Sequence, residues 1–69
     1  MKYGMQTWEI MKWGIEIDNS EYFDTEDEAI EAAQAIIDEA PEGVARVTVG
    51  RFNDNAEIID DDYILDEMI

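Results

Sequence analysis

The chain is expected to fold as a single α+β domain over residues 1–69, an antiparallel sheet packed on one helix in β-β-α-β-β order, with a short C-terminal helix as one reading of the tail. Three observations predict that class. A capped segment with helical periodicity, "TEDEAIEAAQAIIDEAPEG", stands in the middle of the chain. A β-branched run, "GVARVTVGRF", follows it, and stretches rich in Ile and aromatic residues precede it. Several strands and one helix bury their apolar sides most simply as a sheet laid against the helix.

Before the helix, "TWEIMKWGIEIDNSEYFDT" reads as strand, turn and short strand, with Asp18, Asn19 and Ser20 as turn formers. Trp8 and Ile10 fall on the opposite parity from Met11, Trp13, Ile15 and Ile17. A bulge or bend near Lys12 to Gly14, or burial on both faces, reconciles them.

The helix should begin after Thr25, because Thr25 and Glu28 form the S/T-x-x-E capping box. Ala29, Ile30, Ala33, Ile36, Ile37 and Ala40 lie within about 120° on a 3.6-residue wheel and make one apolar face. Pro41 and Gly43 end the segment. The opposite face carries Asp27, Glu28, Glu31, Gln34, Asp38 and Glu39, with no Lys or Arg three or four residues away to offset them.

Val44 to Phe52 has the alternation of a half-buried strand, Ala45, Val47 and Val49 against Arg46 and Thr48, with Gly50 as a candidate bulge. Asn53, Asp54 and Asn55 suit a tight turn, which predicts a hairpin into Ala56 to Ile59. In the tail, Ile64, Leu65 and Met68 suit a short helix with acids at its N-terminus, or a continued strand.

Composition narrows function. Nineteen carboxylates face four cations, for a formal net charge of -15, yet 46% of the residues are hydrophobic and ten are Ile, so a core is expected in place of disorder. With no Cys there is neither a disulfide framework nor a thiolate metal site, and a cytoplasmic location fits. The N-terminus lacks the pattern of a signal peptide, and no stretch reaches the roughly 18 apolar residues of a membrane span. The chain is expected to be soluble and mature as written.

Catalysis finds no footing: there is no His or Cys, and the one Ser, Ser20, has no evident base. No cofactor is implied. The run Asp60, Asp61, Asp62 fails as a calcium loop, since a frame starting at Asp60 puts Ile64 fifth and Leu65 sixth, and one starting at Asp54 puts Ala56 third and Ile58 fifth. The seven aromatic residues could stack on bases, but so acidic a surface repels phosphates, and core packing accounts for most of them. If Trp8 and Trp13 project to opposite faces, one of them is free to serve as a binding anchor.

The charge itself is the informative feature. Solubility or adaptation to high salt is the plain explanation, although ten Ile and a compact apolar face fit a salt-adapted chain poorly. The functional explanation is mimicry. A duplex carries one charge per about 1.7 Å of axis, and a basic groove draws most of its nonspecific affinity from neutralising them. Carboxylates on a helix face and a tail can occupy the same groove.

In size, acidic bias, element order and the local text "EYFDTEDEAIEAAQAI", the chain resembles the small acidic inhibitors of phages and other mobile elements, the anti-CRISPR and anti-restriction proteins that imitate DNA. The resemblance implies binding to a CRISPR effector complex or nuclease in the host cytoplasm, blocking its DNA-binding surface without catalysis. That group shares no binding signature, so it transfers no residue by position. The expected partner-binding residues come from the charge pattern alone: Asp27, Glu28, Glu31, Asp38 and Glu39 on the helix, with Asp60, Asp61, Asp62, Asp66 and Glu67 in the tail. The protein would act as a monomer or homodimer and touch no nucleic acid itself. The alternative is an assembly module whose acidity serves solubility and whose sheet edge or apolar patch recruits another chain.

Overall fold

The computed structural model describes residues 2–53, 55, 57, 59 and 63–69. Strands β1 (Lys2–Met11) and β2 (Gly14–Phe23) form a hairpin, helix α1 (Glu26–Glu39) follows, and β3 (Arg46–Phe52) and β4 (Leu65–Met68) complete the order β-β-α-β-β. All neighbours pair antiparallel in one sheet of order β2-β1-β3-β4. The expected class is therefore the observed one. The helix carries the chain from the edge strand β2 across β1 to β3, and its buried side covers one face of the sheet.

The β1–β2 turn begins six residues before the Asp18 at which the sequence signals place it. Lys12 and Trp13 form a two-residue turn between the paired Met11 and Gly14, and Gly14 takes φ +139, a value that excludes most side chains. Asp18, Asn19 and Ser20 lie inside β2. The register shifts between Thr7↔Asn19 and Trp8↔Ile17, leaving Asp18 as the extra residue of a bulge. The early turn resolves the parity conflict, because it pairs Trp8 and Ile10 of β1 with Ile17 and Ile15 of β2 on one face, and the bulge brings Ser20 and Tyr22 onto the same face. Gly50 is no bulge; it sits in regular register opposite Gly4.

Thr25 caps the helix with φ -124 and ψ 153, and its Oγ1 accepts from the Glu28 amide at 3.2 Å. The Glu28 carboxylate accepts from the Thr25 hydroxyl at 3.0 Å. Ala40 is exposed and does not belong to the apolar face; it is the C-cap, in a left-handed conformation (φ 45), and donates its N–H to the Ile36 carbonyl. Ala29 and Ala33 are fully buried against Met5, Val47 and Val49, with Ile30, Ile36, Ile37, Tyr3, Phe23 and Leu65 closing the margin. Small residues on the helix allow close approach to the sheet, which is how a chain this short builds a tight core.

The fourth strand is Leu65–Met68, and the tail holds no helix among the described residues. The expected partner segment lies partly outside those residues at Ala56 and Ile58, while Glu57 and Ile59 are not in a strand. The turn itself forms on Asn53, whose Oδ1 accepts from the amides of Asn55 and Glu57. β3 has an outer row of backbone groups that needs a partner. Leu65 to Met68 supplies it in register with Val49 to Arg46 and adds Leu65 to the core margin.

Candidate binding surfaces

The two sides of the molecule differ in charge. On the helix side, Asp27, Glu28, Glu31, Asp38 and Glu39 are all exposed, and α1 contains no basic residue. Asp27, Glu31 and Asp38 fall within about 40° of one another on the wheel, with Glu28 and Glu39 flanking them. These five carboxylates spread over about 18 Å of helix in two groups, Asp27 to Glu31 and Asp38 to Glu39, about 10 Å apart along the axis. Glu28 also serves the helix cap through its bond to Thr25.

The tail acids do not extend this surface as expected. Successive strand residues point to opposite faces, so β4 separates Asp66 from Glu67. Glu67 pairs in register with Val47 and stays on the helix side. Asp66 faces the other way and is held by Arg46, which donates from Nε at 2.8 Å and from Nη2 at 2.5 Å. The hydrogen bond from Arg46 holds the Asp66 carboxyl below its ordinary value, and the Arg46 guanidinium is raised in return. Asp60, Asp61 and Asp62 lie outside the described residues. Among the described residues no group of three carboxylates converges to hold a metal ion, and no helix is long and apolar enough to cross a membrane.

The side of the sheet away from the helix carries what the charge pattern did not reveal. Arg46 lies over the rings of Trp8 and Tyr63, with its guanidinium carbon 4.7 Å and 5.6 Å from their centroids. Trp8 Nε1 donates to Thr48 Oγ1 at 2.9 Å, and that hydroxyl donates in turn to Gln6 Oε1 at 2.9 Å. Indole can only donate, so the hydroxyl proton must go to Gln6, which fixes the orientation of the Gln6 amide. Its Nε2 is buried and has no partner among the described residues. Gly4 makes room for this arrangement: a Cβ there would stand 2.5 Å from Phe52 Cε2 and 2.8 Å from Gln6 Nε2. Phe52 meets Tyr22 edge-on, with centroids 5.4 Å apart. An open hollow of about 250 Å³ is lined by Gln6, Ile17, Ser20, Tyr22, Phe52 and Tyr63.

Beyond that hollow the same face is apolar and bare. Ile10 is 73% exposed and Met68 63%, and Ile15, Ile17 and Tyr22 are also exposed. Trp13, 71% exposed, stands at the turn beside them, so of the two tryptophans it is Trp13 that reaches solvent and Trp8 that packs. Comparison with known proteins finds no matching family model, no similar curated protein and no similar solved structure. The functional reading therefore rests on these two surfaces. The turn propensity of Asp18 to Ser20 masks the open face in the sequence, because a turn there conceals the alignment of β1 and β2. The recoverable signal was the opposed parity of Trp8 and Ile10 against Ile15 and Ile17.

Proposed function

We propose that the chain is a non-catalytic acidic inhibitor that presents its helix face to the basic, nucleic-acid-binding groove of a partner and excludes DNA from it, with a CRISPR effector complex as the class of target. One observation carries this reading: five exposed carboxylates line the outer side of the helix over about 18 Å, with no cation on the helix to offset them. The helix is well placed for the role, because its inner side is anchored by Ala29 and Ala33 and the acids are exposed on its outer side. Asp66, engaged with Arg46, contributes little to such a surface, while Glu67 lies on the helix side.

The test is competition. The chain is titrated into a CRISPR effector bound to labelled duplex at low and moderate salt, beside the variant Asp27→Lys/Glu31→Lys/Asp38→Lys. Displacement of the duplex that weakens with salt and is lost in the variant supports mimicry. Displacement that the variant retains, or binding that leaves the duplex in place, rules it out. The open apolar face favours a second reading, an assembly module that recruits another chain.

A further inference from the structure

We infer that two copies of the chain pair through the open face of the sheet, back to back, with the acidic helices outward. This deepens the assembly reading by naming the occupant, and it does not depend on what the helix face binds.

Four observations converge on a second copy. First, the face is poor in charge in a chain of formal charge -15: of the strand residues with a register position on it, Asp66 is the one carboxylate, Arg46 cancels it locally, and Lys2 at the far end is the other charge. Glu9, Glu16, Glu21 and Glu67 all take register positions on the helix side instead. Second, the sheet edges are poor sites for adding a strand. β2 carries Glu16, Asp18 and Glu21 and is interrupted by the bulge, and β4 is short with Asp66 and Glu67. Pairing by the face is left.

Third, the face is uneven in a way that suits a two-fold axis. The Ile10, Ile15 and Met68 end stands out, whereas the hollow beside Tyr22 and Phe52 lies about 20 Å along the strands. A two-fold axis lying between the two sheets, parallel to them and running across the strands near Thr7 and Trp8, lays the raised end of each copy over the hollow of the other, as an isologous contact requires. Fourth, the four strands span roughly 500 Å² of sheet, so a pair covers about 1,000 Å² before side-chain relief is counted, the lower bound for a specific interface. Sheets packed face to face sit about 10 Å apart, and a helix layer on each outer side puts the two acidic faces roughly 30 Å apart. That is several times the screening length of about 8 Å at physiological salt, so the acids do not prevent association.

Sedimentation equilibrium of the chain alone, from low micromolar to several hundred micromolar, at 20 mM and 500 mM NaCl, tests the pairing. A dimer that tightens with salt is expected, the opposite sign from binding by the helix face. Ile10→Lys/Ile17→Lys should weaken it at least about tenfold with unchanged far-ultraviolet circular dichroism. Lysine is chosen because it lowers the net charge, so the loss cannot come from added repulsion. Should the double variant lose its fold, Ile10→Lys alone repeats the test at the most exposed position. A chain that stays monomeric at every concentration and salt, or a dimer indifferent to the face variant, overturns the inference and leaves the duplex competition untouched.

Discussion

Replacing Thr48 by Val tests the physical account of the open face at its centre. Thr48 is fully buried, and its hydroxyl accepts from Trp8 Nε1 and donates to Gln6 Oε1, each at 2.9 Å. Valine keeps the shape and removes both bonds. Gln6 is 2% exposed and cannot turn to water, so its carbonyl oxygen is stranded at a cost of about 1–3 kcal/mol. Trp8 is half-buried and loses less, about 1 kcal/mol or below. The added methyl returns roughly 1 kcal/mol. The net loss is about 2 kcal/mol, against a total of about 3–10 kcal/mol for a domain of this length.

Urea unfolding followed by tryptophan fluorescence should show the midpoint falling by about 1–2 M with the slope unchanged. The double variant Gln6→Leu/Thr48→Val should recover most of the loss, because replacing both partners by apolar groups leaves little polar surface stranded. A Thr48→Val midpoint indistinguishable from the parent, or a double variant no better than the sum of the singles, would refute the hydrogen-bond chain.

Three further outcomes follow from the same geometry. Gly4→Ala should cost about 1–3 kcal/mol in the same assay, since its Cβ would meet the Phe52 ring at 2.5 Å and backbone pairing on both sides of β1 resists retreat. Ala40→Gly should raise stability by about 0.5–1 kcal/mol, because it relieves a left-handed alanine and the gain exceeds the added freedom of the unfolded chain. Asp66→Asn should cost at most about 1 kcal/mol at pH 7, the carboxylate being 42% exposed and well screened. The folded carboxyl lies below its ordinary 3.8, so the parent holds this advantage above that value and loses it as pH falls through the folded one; the two midpoints, measured from pH 7 to pH 2, should converge in acid.

The helix is legible in the sequence up to its last turn because its determinants are local: the box formed by Thr25 and Glu28, the spacing of Ala29, Ala33 and Ile36, and the stop at Pro41, with Ala40 the C-cap and not part of the apolar face. The alternation at Val47 and Val49 was legible for the same reason. What could not be read locally was pairing. Asp18, Asn19 and Ser20 favour turns by composition, but β1 pairs nine of its ten residues with β2, so the turn formers lie inside the strand at a bulge. The tail became a strand and not a helix for a tertiary reason, the unpaired outer side of β3. Of the candidate site, the helix acids were visible as charge on a wheel, whereas Asp66 was counted among them because nothing local announces an Arg46 twenty residues away.

The bulge at Asp18 is the point where fold and surface meet. The turn at Lys12 and Trp13 sets Ile15 and Ile17 on the face of Ile10 and Trp8; without the bulge beyond them, Ser20 and Tyr22 would turn to the helix side, and Asn19 and Glu21 would join Gln6 and Gly4 on the open face. One extra residue therefore keeps a carboxylate on the helix side and Tyr22 beside Phe52 in a single step. The face so formed stays exposed in a molecule already strained by a charge of -15. Deleting Asp18 removes the extra residue and makes Trp8↔Ile17 and Thr7↔Asn19 consecutive pairs, so every other side chain keeps its face. The deleted chain should therefore self-associate at high salt as the parent does, and a folded deletion that stayed monomeric would show that the bend at the bulge, beyond the register, shapes the open face.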